Sequence, residues 1–300
     1  MSGIGVRAGS GPGSGSRSRG SGGSLLVLVR AWVVGLAVLA GLTVPIAVAS
    51  PAAAQTGTFA YLSNRVSNTV SVIDTATNSV IATVPVGTRP EGVAVTPDGS
   101  RVYVANASSN TVSMIDTVTN TVTIPVGTFP EGVAVTPDGS RVYVTNASSN
   151  TVSVIDTVTN TVIATVPVGN NPIGVAVTPD SSRVYVANFG MFDNTVSVID
   201  TATNSVIATI PVGLAPFGVA VAPNGSRVYV TNAESNTVSV IDTGSNTVTA
   251  TVGVGNGPLG VAATPDGSHV YVANLESNTV SVIDTGSKRA FNLGGLPFIS

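Results

Sequence analysis

Asn150-Thr151-Val152-Ser153-Val154-Ile155-Asp156-Thr157 decides the fold, because this octapeptide, or a one-residue variant of it, stands at six places in the chain. Its aspartates are Asp74, Asp116, Asp156, Asp200, Asp242 and Asp284, spaced 42, 40, 44, 42 and 42 residues apart. A steady period of this length marks a repeat architecture built from one small supersecondary unit. Residues present in every copy are explained by the scaffold. A specific site is therefore expected where the copies differ.

One unit can be read from Gly92. Gly92 to Thr96 is a short strand, and Pro97-Asp98-Gly99 is a turn signal. Arg101 to Asn106 and Thr111 to Asp116 form two further strands. Asp116 to Asn120 supplies a turn through side chains that bond the local backbone, and Thr121 to Val126 closes the unit as a fourth strand. Strands two and three carry apolar residues on both faces (Val102, Tyr103, Val104; Val112, Met114, Ile115), as a sheet sandwiched between neighbours requires. The outer strand at Thr121 is two residues shorter than its counterparts, and an even deletion keeps every side chain on its own face. Four short strands in each period predict an all-β protein, a β-propeller of about six four-stranded blades. A parallel β-helix fits less well, since its rungs are shorter and lack these hairpins.

Ahead of the repeats lies a segment of different character. Met1 to Ala54 holds Arg7, Arg17, Arg19 and Arg30, no acidic residue, an apolar run from Ala31 to Ala49, and Ala52-Ala53-Ala54-Gln55. A basic start, an apolar core and a small-residue exit describe a secretory signal. Residues 1–54 are thus expected to be a leader cut after Ala54, and 55–300 a single propeller domain. The alternative is a retained membrane anchor, the only route to a membrane that the sequence offers. The address expected is secreted or cell envelope.

All 15 acidic residues follow the leader against eight basic ones, so residues 55–300 carry a formal charge of about −7. An acidic chain without a basic cluster excludes nucleic acid as a partner. The chain has no cysteine, which excludes disulfides, thiolate metal sites and thiol catalysis.

The repeats resemble a known family. Tyr143-Val-Thr-Asn146 and Tyr229-Val-Thr-Asn232 spell the YVTN β-propeller repeat, and Tyr103, Tyr185 and Tyr271 begin Tyr-Val-Ala-Asn versions. Together with the Pro-Asp-Gly-Ser-Arg segments, the likeness spans about Thr58 to Thr285. It implies a propeller, commonly seven-bladed, of secreted, periplasmic or surface-layer proteins, with lactonase-like and haem-d1 propellers as distant relatives. Such a likeness conveys shape more firmly than activity. Length over period gives six units here rather than seven. In one reading Ala290 to Leu293 form the last outer strand and Pro297 to Ser300 return to complete the first blade, closing a six-bladed ring. In the other, the chain is an incomplete seven-bladed propeller with an open ring.

Comparison of the copies separates two faces. The Pro-Asp-Gly-Ser and Asp-Thr-x-Thr-Asn turns barely change and share one face. The loops between blades, such as Thr88-Arg-Pro-Glu91 and Thr128-Phe-Pro-Glu131, and the long Phe189-Gly-Met-Phe-Asp193 vary, and fall on the other. Variable loops on a rigid scaffold carry function. The candidate binding residues are Arg89, Glu91, Phe129, Glu131, Asn171, Phe189, Met191, Phe192 and Phe217.

Catalytic signals are weak. His269, the one histidine, stands where Arg101, Arg141, Arg183 and Arg227 stand in other copies, and reads as a surface substitution. The six aspartates each end a strand before a turn, so local hydrogen bonding explains them. No cofactor is expected. Glu91 and Glu131 are the better candidates for Ca²⁺, which needs six to eight oxygen donors. Gly253-Val-Gly255 opens no helix and is not a nucleotide motif. The expected role is a non-enzymatic binding scaffold for a cell-envelope glycan, a surface protein or a small ligand. The alternatives are a structural surface-layer component and a lactonase-like hydrolase.

Overall fold

The structure, a computed structural model, describes residues 4–8, 57–116 and 121–293. They form six antiparallel sheets of four strands, each a simple meander. Blade one is β1 (Ile4–Ala8), β2 (Thr58–Asn64), β3 (Thr69–Asp74) and β4 (Ser79–Pro85). Blade two is β5 (Pro90–Val95), β6 (Arg101–Asn106), β7 (Thr111–Asp116) and β8 (Thr121–Pro125). Blade three is β9 (Pro130–Val135), β10 (Arg141–Asn146), β11 (Thr151–Asp156) and β12 (Thr161–Pro167). Blade four is β13 (Pro172–Val177), β14 (Arg183–Asn188), β15 (Thr195–Asp200) and β16 (Ser205–Pro211). Blade five is β17 (Pro216–Val221), β18 (Arg227–Asn232), β19 (Thr237–Asp242) and β20 (Thr247–Gly253). Blade six is β21 (Pro258–Ala263), β22 (His269–Asn274), β23 (Thr279–Asp284) and β24 (Arg289–Leu293). The strands read from one repeat and the outer strand expected near Ala290 are all present.

The constant residues hold the blades together. In blade two the Asn106 amide donates to Thr111 Oγ1 and Ser113 Oγ at 3.2 and 3.0 Å, and the same bonds recur in every other blade. This network explains why Asn and the Asn-Thr-Val-Ser run do not vary. Thr96 Oγ1 donates to Asp98 Oδ1 at 2.6 Å and accepts from Arg101 N, closing the Pro-Asp-Gly hairpin around Gly99 at φ +69°. The strand-ending aspartates cap their own turns, as Asp156 Oδ1 does by accepting from Val158 N and Thr159 N.

Between blades the core follows one rule. The tyrosine-bearing face of each blade packs on the Val-Ile face of the next: Tyr103 and Met114 meet Val142, Val144 and Ile155, and Tyr185 and Val198 meet Val228, Val230 and Ile241. Hydrogen bonds sew the same joints. Tyr103 and Tyr185 donate to Asn160 and Asn246 Oδ1 at 2.9 Å, and the Arg101, Arg141 and Arg183 guanidiniums reach the carbonyls of Thr157, Thr201 and Thr243.

The short outer strand of blade two shows how it keeps its register. Longer outer strands carry a bulge, as between Val154 and Ile155 in the β11–β12 pair, whereas β8 pairs with β7 without one. One deleted residue removes the bulge and the other moves the hairpin on, so Ile124 takes the buried place held elsewhere by Val166.

Two expectations about closure need correction. Pro297 to Ser300 lie outside the described residues, and the place they were expected to fill is taken by Ile4–Ala8, paired antiparallel with β2. This strand supplies the partners that the inner edge of β2 requires. It comes from the segment read as a leader, whose residues 1–3 and 9–54 lie outside the described residues. The second correction is to the closed six-bladed ring, and the open ring of the other reading is the one that matches the described residues. Inner strands of consecutive blades lie side by side from β1–β5 through β17–β21, but β21 has no such apposition with β1. Among the described residues the propeller is an open arc of six blades.

Candidate functional site

The loops between blades are held by backbone, which frees their side chains to vary. In each, the residue before proline has a positive φ: Arg89 +57°, Phe129 +57°, Asn171 +50°, Ala215 +54° and Gly257 +62°. Its N–H donates to an asparagine of the preceding blade, Asn68, Asn110, Asn150, Asn194 or Asn236, at 2.8–3.1 Å. Left-handed backbone is costly for a residue with a Cβ and persists where its surroundings fix it. The glycine two residues earlier is required as well, since a Cβ on Gly87 would lie 2.6 Å from the Asn106 carboxamide.

Four of the sequence candidates converge on this frame with a fifth residue, Arg65. Glu91 is 1 % exposed, and its Oε1 accepts from Arg89 Nε at 2.9 Å and pairs with Arg65 Nε at 3.0 Å. The Arg89 guanidinium carbon lies 4.6 Å from the centroid of the Phe129 ring, a cation–π contact. Glu131 holds the position of Glu91 one blade on, where the inner strands nearly touch: a Cβ on Gly92 would meet the Glu131 carbonyl at 2.4 Å. Burial, and then the negative Glu91, push the Glu131 carboxyl up to about 7, with Arg89 and Arg65 pulling the other way. Both arginines turn Nε toward Glu91, and their Nη edges make no hydrogen bond among the described residues.

Arg65 escaped the comparison of loops between blades because it belongs to the β2–β3 turn. The signal was present: Ala107, Ala147, Phe189, Ala233 and Leu275 occupy the same slot in the other copies.

The remaining candidates do not join this cluster. Phe189 and Phe217 meet edge to face with ring centroids 5.7 Å apart, and Phe217 is buried. Asn171 is half-buried and serves the loop frame. Met191 and Phe192 stand 84 % and 90 % exposed on a loop pinned by Asp193, which accepts from Asn170 N and Thr195 Oγ1. Among the described residues no three His, Cys, Asp or Glu side chains come together as a metal would require. Glu91 is met by the Arg89 and Arg65 guanidiniums instead.

Clefts of about 420 and 300 Å³ lie on the opposite face, lined by repeat residues such as Thr178, Asp180 and Arg183, and Thr96, Asp98 and Arg101. Their polar groups are occupied within the scaffold. Asp180, for example, lies below the usual carboxylate range because Thr178 and Ser182 donate to it.

Comparison with known proteins agrees with this architecture. The YNCE-like beta-propeller family model matches residues 26–138. A functionally unknown protein from Desulfotomaculum acetoxidans DSM 771 aligns with a TM-score of 0.70 at 22% identity, over 78% of each chain. Hydrazine synthase of Kuenenia stuttgartiensis aligns with a TM-score of 0.52 at 24% identity, over 76% of this chain and 92% of that one. At such identities the likeness concerns the fold alone. No curated protein matches the chain. The chain is a repeat β-propeller that matches the YNCE-like family over residues 26–138.

Proposed function

We propose that this protein is a non-enzymatic binding module of the cell exterior, and that its variable face recognises an acidic glycan of the cell envelope. The observation that carries the reading is the convergence of Arg65 and Arg89, whose Nη edges make no hydrogen bond among the described residues, beside the half-buried Glu131 and the ring of Phe129. Guanidinium edges match carboxylate and phosphate oxygens in pairs. A protonated Glu131 donates a hydrogen bond to a sugar hydroxyl, and an aromatic face suits the apolar side of a sugar ring. The basic start and apolar run of residues 1–54 support the exterior address, with Ile4–Ala8 of that segment retained as a strand of blade one.

The test is cosedimentation of the full chain with cell-envelope fractions, beside a variant carrying Arg65→Gln, Arg89→Gln and Glu91→Gln. The triple change removes the charges without stranding one in the interior. Saturable binding that the variant loses, and that weakens with salt, supports the reading. Binding that the variant keeps refutes it.

A lactonase-like hydrolase is the second reading, favoured by one observation. A carboxyl that titrates near neutrality is suited to moving protons. Lactone turnover that disappears in Glu131→Gln would establish it.

A further inference from the structure

The two ends of the arc expose the two halves of the joint that is made five times inside it. Blade six presents its tyrosine face uncovered: Tyr271 is 44 % exposed, where Tyr61, Tyr103, Tyr143, Tyr185 and Tyr229 are buried. Register places Ala273, Val280, Val282, Phe291 and Leu293 on the same face, with Tyr271 opposite Val282, Val282 opposite Phe291, and Val280 opposite Leu293. Phe291, Leu293 and Val280 are exposed too.

Blade one presents the complementary half. Ala60, Leu62 and Ile73 hold the places of Val102, Val104 and Ile115, which are buried against blade one's tyrosine face. In blade one these three residues are only half-buried. Of the polar ties, the one between tyrosine and asparagine has its counterpart as well. Tyr103 and Tyr185 reach Asn160 and Asn246, and the matching residue in blade one is Asn78, which is exposed. Arg227 Nη1 donates to the Thr285 carbonyl at 3.0 Å, and the matching carbonyl in blade one is that of Thr75, but blade six carries His269 at the arginine position, so this second tie lacks its guanidinium.

We infer that these two faces join separate copies of the chain head to tail, blade six of one copy packing on blade one of the next. What covers the Tyr271 face is indicated by the molecule itself, since every internal tyrosine face is covered by a Val-Ile face of the blade-one type. Among the described residues the two end faces of one chain are not apposed, and a second copy supplies the complement. Such a contact is heterologous: it leaves one face of each kind free at the ends, and it propagates unless the copies close into a ring. The inference rests on the end faces and is independent of the glycan reading.

The chain has no cysteine, so introduced thiols are the only ones present. Asn78→Cys and Ser268→Cys place one thiol beside each half of the joint, and a short bismaleimide reagent is then added to the full-length protein. Covalent dimers and a ladder of multimers are expected on a denaturing gel, with a weight-average mass that rises with concentration in analytical ultracentrifugation of the unmodified protein. An internally cross-linked monomer would mean that the ring closes on itself and would overturn the inference. So would a mass that stays monomeric at all concentrations. A second variant, Tyr271→Lys with Val280→Lys, should abolish association and leave the circular dichroism of the folded chain unchanged. Association that persists in this variant also overturns the inference.

Discussion

Arg89 and Phe129 occupy the same loop position in successive blades, and the guanidinium of the first lies over the ring of the second at 4.6 Å. The blade repeat therefore does more than stack sheets. It brings side chains about 40 residues apart in sequence into contact at the rim of the arc. Because the backbone of these loops is fixed by asparagine ladders, the side chains can change without loss of the frame. On this basis the Phe129→Ala variant is expected to fold normally, with a loss of about 0.5–2 kcal/mol from the half-buried cation–π contact. Urea unfolding of the two proteins measures it.

Glu131 gives the protein an unusual pH dependence. Its folded-state pKa of about 7 lies above the ordinary 4.5, so the native state holds the proton more tightly. Its contribution is complete below about 4.5 and is lost as pH rises to about 7, a change of about 3 kcal/mol by linkage. Glu131→Gln should therefore be more stable than the parent at pH 8 and equal to it near pH 4. Urea midpoints at both values check the sign.

The constant aspartates act in the opposite direction. Asp138, Asp180 and Asp266 have lowered pKa values because turn hydroxyls and N–H groups donate to them, Asp266 down to about 2. Their contribution is present above the ordinary value of 3.8 and fades as pH falls below it. Stability should pass through a maximum near pH 4–5 and fall on both sides. Glu131→Gln should flatten the alkaline side only, which a pH series of thermal midpoints will resolve.

Glycine at the inner ring is a packing requirement. A Cβ on Gly174 would lie 2.1 Å from the Phe217 carbonyl, whereas one on Gly253 would meet nothing within 4 Å. Gly174→Ala should cost about 1–3 kcal/mol or more through overpacking, and Gly253→Ala about nothing. Paired denaturation curves test the contrast.

Aromatic residues on the variable face divide by burial. Phe217 is buried against Phe189, and Phe217→Ala should cost about 3–5 kcal/mol. Met191→Ala and Phe192→Ala should stay within about 0.5 kcal/mol of the parent, since both side chains face solvent. Thermal unfolding of the three variants separates the packing aromatic from the exposed pair.

The fold was legible because its determinants are local and repeated. Turn glycines, strand-ending aspartates and the two-sided apolar pattern of Arg101 to Asn106 each specify a strand or hairpin on their own. Closure was not legible, because whether blade six meets blade one depends on the angle accumulated over five joints, and no residue encodes that angle. The site was legible in part. Arg89, Glu91, Phe129 and Glu131 stood out as departures from the repeat. Their meeting with Arg65 is a contact between different blades that sequence comparison within one loop class cannot show. Phe217 is buried against Phe189, and a variable position of this kind can vary because its packing partner varies with it.

The most direct test of the central claim is calorimetric titration of the full-length protein with an acidic cell-envelope glycan and its carboxyl-reduced, neutral form, at pH 6 and pH 8. The account predicts binding of the acidic form alone, tighter at pH 6, with proton uptake at Glu131 and loss of binding in the Arg65→Gln, Arg89→Gln, Glu91→Gln variant. Equal binding of the neutral form, or undiminished binding by the variant, would contradict it.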